Sequence, residues 1–387
     1  MMTQAHHTVR TDRMAKPILA GACSRCAFRT RTLAALAIAV CGVLHAQTPV
    51  AAPRPVTLPP IKARLLIREG DKDATINREV VLLGHTAQTL LAQAARGDSA
   101  SFQVDKARVL RCEFALDYDH AALSAAVRDY DWAAAVRTLA PSLRVALPYL
   151  DLADNNGLDL AMDLGTYMIL SADRERRAAS DAATRERAMK QYEAAYDVFR
   201  DAGRADWSPL APVAILKGCR ALLSQGKDEA AATNLKRVEN PDPGDPAYGH
   251  YWLVQAELFR RAGKTREAID AIVNSIVFAD KDAETFPSAL LLSADCYTAL
   301  GEHHRARDVY YEVAVLFTGT DWAADARIGL QAIMDGKKTL EPEKTPIENV
   351  FFNMTEDMNK LADELLKTPA EPKTTVGAPK AVASGNF

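Results

Sequence analysis

The chain has 387 residues, 48% of them hydrophobic, and a formal charge of −3. That length allows two or three domains with real cores, and the slightly acidic balance argues against a dedicated nucleic-acid binder. Six cysteines, three of them within the first 41 residues, spell no disulfide framework and no metal-ligand cluster.

In chain order, residues 1–31 carry Arg10, Arg13, Lys16, Arg25, Arg29 and Arg31 against Asp12. Leu33–Ala46 follows as an apolar run of fourteen residues. It is too short to span a bilayer comfortably and right for the core of a signal peptide. Leu44-His45-Ala46 supplies a cleavage site, so the pattern predicts a signal peptide over 1–46 and an exported, envelope-associated or periplasmic chain with no further membrane span. Val40 is too bulky before Cys41 for a lipoprotein signal. Cys23 and Cys26 precede the export signal without a second ligand pair, which argues against a redox or zinc site. A Pro/Ala-rich linker is expected over 47–60.

Residues 61–116 change texture. KARLLIR, REVVLLGH, TLLAQA, SFQVD and RVLRCEF are short runs of strand-forming residues, separated in places by the turn-like EGDKD and ARGDS. Five strands in such a stretch predict a small rolled sheet, SH3-like in general shape. It serves either as a docking module or as a cap on the first helices.

From His120 the pattern is helical. Ala121–Tyr130 and Trp132–Leu139 read as a first hairpin with Tyr130-Asp131 in the turn, and Leu158–Glu175 as a long helix after the turn Asn155-Asn156-Gly157. The charge-dense Arg174–Arg187 reads as a solvated helix pair. Gln191–Phe199 has a buried helical face in Tyr192, Ala195, Tyr196 and Phe199. Trp322–Ile333 is a last single helix. Past a linker at 341–346, Asn353–Lys367 is an amphipathic helix with the stripe Met354, Met358, Leu361 and Leu365, capped by Asn353 and Glu356. It is expected to dock near residues 290–335, anchored by Phe351 and Phe352; the alternative is a partner-binding element, which a Met-rich stripe also suits. Residues 368–387 are Pro/Ala/Gly/Thr-rich and read as a disordered tail.

Among these helices a single unit is written twice. Trp252, Ala256, Phe259, Gly263, Ala268 and Ile272 are answered 38 residues later by Leu290, Ala294, Tyr297, Gly301, Ala306 and Tyr310. The pattern is that of two closely packed antiparallel helices, with Ala256 and Ala294 at the close contact, Ala289 off it, and Gly263 and Gly301 as left-handed caps. Cys219, Leu222, Gly226, Ala231 and Leu235 form an earlier copy, and Ala133–Leu147 and Ala188–Phe199 belong to two degenerate units. These residues resemble the tetratricopeptide repeat (TPR). The resemblance implies a mainly α, helical-hairpin solenoid over 117–336 that binds a protein partner in its concave groove. Family positions put Val213, Leu216, Arg220 and Leu223, then His250, Leu253, Glu257, Arg260 and Arg261, then Ser288, Leu291, Asp295 and Thr298 in that groove.

No catalytic signature is present: the chain lacks G-x-S-x-G, a P-loop, G-x-G-x-x-G and H-E-x-x-H. His303-His304 reads as a solvated turn, Asp280-Lys281-Asp282 lacks the rest of a calcium loop, and Asn353-Met354-Thr355 is a common sequon. The expectation is therefore a non-enzymatic protein–protein scaffold or adaptor of the bacterial envelope, without cofactor, metal or nucleic acid. The alternative is an envelope enzyme or glycan-binding protein with a site between the β module and the first hairpins. A pocket that gathered Asp117, Asp119, His120 and Asp131 would favour it, whereas helix capping would account for those residues without one.

Overall fold

A computed structural model describes residues 56–69, 74–96, 100–278, 282–336 and 352–368, with side chains from 358 onward in the last segment. The expected signal peptide, the residues before 56, the 341–346 linker, Met354, the Phe351 and Phe352 anchors, the Asn353 cap and the tail lie outside that description.

Five antiparallel strands come first: β1 (Val56–Arg68), β2 (Thr75–His85), β3 (Thr89–Ala94), β4 (Ser101–Asp105) and β5 (Val109–Phe114), in the order β4-β3-β2-β1-β5. Alternation sets the buried face. Ile61, Ala63, Leu65 and Ile67 of β1 meet Val80 and Leu82 of β2, Leu90 and Ala92 of β3, and Val109, Cys112 and Phe114 of β5 in one core. β1 begins at Val56, inside the stretch expected as linker. Its first residues cross β2 at Gly84, where a Cβ would lie 2.1 Å from the Val56 carbonyl oxygen.

Helices follow: α1 (His120–Arg128), α2 (Trp132–Arg144), α3 (Gly157–Ala178), α4 (Ala182–Ala202), α5 (Leu210–Ser224), α6 (Asp228–Leu235), α7 (Tyr248–Arg261), α8 (Thr265–Phe278), α9 (Thr285–Leu300), α10 (His303–Leu316), α11 (Asp321–Asp335) and α12 (Phe352–Lys367). From α1 to α11 each packs on the next, and α3, α5, α7, α9 and α11 also touch in succession. The chain is thus mainly helical, with a small antiparallel sheet at the start of the described residues. Ala256 and Ala294 are completely buried at their helix contacts, and Gly263 and Gly301 take φ of +74° and +80° in the turns. Ala289, expected off the contact, is equally buried. α9 is apolar on several sides because it lies between α7 and α8 on one flank and α10 and α11 on the other.

Two joints tie the sheet to the helices. The turn before α3 extends the β5 edge: Cys112 bridges to Asn155, and the Asn156 side chain both donates to the Phe114 carbonyl (3.0 Å) and accepts from the Phe114 amide (2.8 Å). These bonds cover an edge that would otherwise offer free backbone groups. Lys106 Nζ donates to Asp151 Oδ2 at 2.6 Å and lies 3.3 Å from His85 Nδ1, whose ring packs on Tyr149.

At the other end α12 packs on α10 and α11. Ala362 is fully buried there with Leu365 and Leu366 beside it, while Leu361 is 41% exposed. The buried stripe is therefore turned one position from the expected Leu361, since 358, 362 and 366 follow the helical period. Arg307 donates to Asn359 Oδ1 (2.7 Å), and Arg327 caps the helix end by donating to the carbonyls of Leu365 (2.8 Å) and Thr368 (3.1 Å). No helix among the described residues is long and apolar enough to cross a membrane.

Candidate functional site

The odd-numbered helices α3 to α11 make one wall, and its polar groups reach across several helices. Lys217 on α5 donates to Thr166 Oγ1 on α3 (3.0 Å) and to Glu284 Oε2 just before α9 (2.5 Å). Arg220, one turn further along α5, holds the other Glu284 oxygen at 2.7 Å. Glu284 is placed by Asp282, whose carboxylate accepts the backbone amides of Glu284 (2.8 Å) and Thr285 (2.7 Å) and so opens α9. Burial alone would raise the Glu284 carboxyl, but Lys217, His250 and Arg220 hold it well below the usual carboxylate range. Burial likewise pushes the His250 imidazole well down, so it stands neutral beside Asp282 at neutral pH.

Of the other residues assigned to the groove, Leu216 and Leu253 are buried between helices, and Leu291 is half-buried. Glu257 accepts from Arg260 (2.8 and 2.7 Å) and Arg261 (2.6 Å), and Arg261 continues to Asp228 on α6 at 3.0 Å. Asp295 accepts the Tyr310 hydroxyl at 2.6 Å and is open to solvent. Asp163 on α3 is likewise open to solvent.

A second charged cluster joins the first helices to the last. Asp321, at the first turn of α11, accepts from Trp132 Nε1 (2.7 Å), from Arg174 (2.8 and 3.0 Å) and from Arg177. Arg177 Nη1 also donates to both Asp325 carboxylate oxygens, at 2.9 and 2.8 Å. The Asp321 side chain is only 11% exposed. Its Thr320 neighbour caps the helix, so the carboxylate also sits at the favourable end of the helix dipole. Arg174 lies 5.7 Å above the Trp132 ring, whose indole stacks on Tyr167 at 5.7 Å and 12°. Arg174 and Arg177, expected in a solvated charge run, instead close the row of helices onto itself. A charge run shows no local sign of a partner 144 or more residues away.

The carboxylates considered for an alternative site are placed as caps. Asp119 accepts the Ala122 amide and Asp131 the Ala134 amide, both at 2.9 Å, and open α1 and α2. The Asp117 backbone carbonyl accepts the Ser142 hydroxyl, and the His120 ring packs against Tyr118, tilted by 40° with the centroids 4.1 Å apart. His303 and His304 open α10. Among the described residues no group of three or more His, Cys, Asp and Glu could hold a metal ion. No protein-family model matches the chain, and no curated protein matches it.

Proposed function

We propose that this chain is a non-enzymatic scaffold or adaptor of the bacterial envelope, a TPR-like helical solenoid behind a small SH3-like sheet, and that it holds a segment of a partner protein along the wall of odd-numbered helices. The observation that carries the reading is the wall itself. Successive odd helices touch, and between them stand Lys217, Arg220, Glu284, Arg260, Glu257 and Asp295, oriented by hydrogen bonds and still reached by water. A surface whose polar groups are fixed in place before binding recognises a partner at low entropic cost. The half-buried Leu291 adds apolar contact next to them. Export fits the leader pattern of residues 1–46, and the protein works after cleavage without a membrane span, cofactor or nucleic acid.

Site-specific photo-crosslinking tests this. A crosslinker at Arg220 or Leu291, in the full chain expressed in its own cells, is expected to trap a defined protein. One at Val273, 50% exposed on α8, is expected not to. Equal trapping from Val273, or a product confined to the cytoplasm, overturns the proposal.

A further inference from the structure

Where the sheet meets the helices, three turns bring a histidine, a lysine and a carboxylate together. His85 ends β2, and the turn behind it is fixed by Thr86, whose hydroxyl bonds Thr89 Oγ1 (2.9 Å) and accepts the Thr89 amide (2.9 Å). Lys106 opens the short 3-10 turn Lys106–Arg108 after β4, and its amide donates to the Gln88 carbonyl of that same β2–β3 turn at 2.8 Å. Tyr149 and Asp151 come from the segment between α2 and α3. Lys106 Nζ spans the gap, 2.6 Å from Asp151 Oδ2 and 3.3 Å from His85 Nδ1. Its side chain is only 12% exposed. The other Asp151 oxygen and the Tyr149 hydroxyl are sealed from solvent without a hydrogen-bond partner among the described residues. The Asp151 carboxylate thus leans on Lys106, and losing that bond would leave it buried and unpaired.

Two groups compete for His85 Nδ1. Lys106 needs its lone pair, whereas the Thr86 carbonyl, 3.1 Å away, needs a hydrogen on it. A neutral imidazole has one donor nitrogen and one acceptor, so Nδ1 serves one neighbour or the other. With its hydrogen on Nε2, neutral His85 accepts from Lys106, and the ammonium ties the sheet to the Asp151 segment. Protonated His85 carries a hydrogen on Nδ1 that goes to the Thr86 carbonyl. Imidazolium and ammonium then stand side by side and share one carboxylate. Arg204, the remaining charged group acting on the ring, is a third cation, and Tyr149 packs on the ring face at 5.4 Å.

We propose that this joint is a proton-controlled latch: neutral His85 holds the Lys106 turn and the 149–151 segment together, and protonated His85 releases them. Acid thereby loosens the seam between the sheet and the first helices, whatever the wall of odd-numbered helices binds. Burial, with Lys106, lowers the His85 imidazole from its ordinary 6.5, against the Thr86 carbonyl and Asp151, which raise it. The latch is therefore whole above pH 6.5 and weakens as pH falls below that value.

Hydrogen exchange in the full chain tests this, read as protection factors at pH 7.5 and 5.5 so that the intrinsic pH dependence of exchange cancels. Peptides covering 101–116 and 147–157 are expected to lose protection by about tenfold or more at the lower pH, the usual size of one charge-assisted bond. Peptides from α7 and α8 are expected to keep theirs. In His85→Gln, which carries no charge at either pH, the loss is expected to vanish. In Lys106→Met protection is expected to be low at both pH values, with no further loss. Ring-nitrogen NMR of the wild type is an independent reading: the hydrogen should sit on Nε2 at pH 7.5 and on both nitrogens in acid. Equal protection at the two pH values in the wild type, the same loss in His85→Gln, or a hydrogen on Nδ1 at pH 7.5 overturns the latch.

Discussion

Gly263 and Gly301 show what a single residue decides. A Cβ at either position would meet nothing within 4 Å, so steric room does not call for glycine there; the φ of +74° and +80° does. Gly301→Ala is expected to cost about 1 kcal/mol, the penalty of a left-handed alanine. Gly218, inside α5, has no positive φ, and its added Cβ would touch the Phe199 Cβ at an ordinary 3.5 Å. Gly218→Ala is therefore expected to stabilise by about 0.5 kcal/mol. Urea denaturation of both variants checks the pair, and the two signs must differ. Charge gives residue-scale tests too. Glu284 titrates below its ordinary 4.5, so its contribution is fully present above that pH and is lost as pH falls further. Glu284→Gln is expected to lower stability by about 2 kcal/mol at pH 7, and thermal melts should show the gap closing below pH 4.5.

At the scale of elements, α9 and α12 mark the limits of the repeat pattern. Ala294→Leu and Ala289→Leu are now both expected to destabilise, by about 1–3 kcal/mol each, because α9 is packed on two flanks. α12 covers the last helices through Ala362, Leu365 and Leu366 and through the Arg307 and Arg327 bonds. Deleting residues 352–387 should lower the unfolding midpoint and speed amide exchange in α10 and α11; unchanged exchange there would show that the helix is not held in solution. The hairpins were legible in the sequence because their cues are local: an alanine where helices touch, a glycine where φ turns positive, a cap beside each start. Strand alternation was legible for the same reason. The polar architecture was not. Lys217 and Arg220 meet Glu284 across 67 and 64 residues, and Arg174 meets Asp321 across 147. No spacing rule reaches that far. Position within a repeat also failed to say that Leu216 and Leu253 are buried between helices.

Taken whole, the molecule depends on Asp321. Removing its carboxylate leaves the Trp132 indole N–H without its acceptor and takes one carboxylate from Arg174 and Arg177, of which Arg177 keeps Asp325. Asp321→Ala is expected to cost about 3 kcal/mol, the loss typical when one partner of a buried pair is deleted. The radius of gyration from solution scattering should rise with it. Linear arrays of helical repeats hold together by neighbour contacts and fray from their termini. In this chain the first hairpin and α11 secure each other, so hydrogen exchange should open α1–α2 and α11 together in the wild type and separately in Asp321→Ala. The same contact bears on how the chain acquires its structure. It closes a loop of 147 residues, whose entropic cost is met late and whose high contact order slows the final step. Helices α2 and α3 leave the ribosome well before α11 exists, with Arg174, Arg177 and Trp132 still facing water. The newborn protein therefore passes through a stage with its hairpins formed and its circuit open, and only synthesis of the last fifth of the chain completes it.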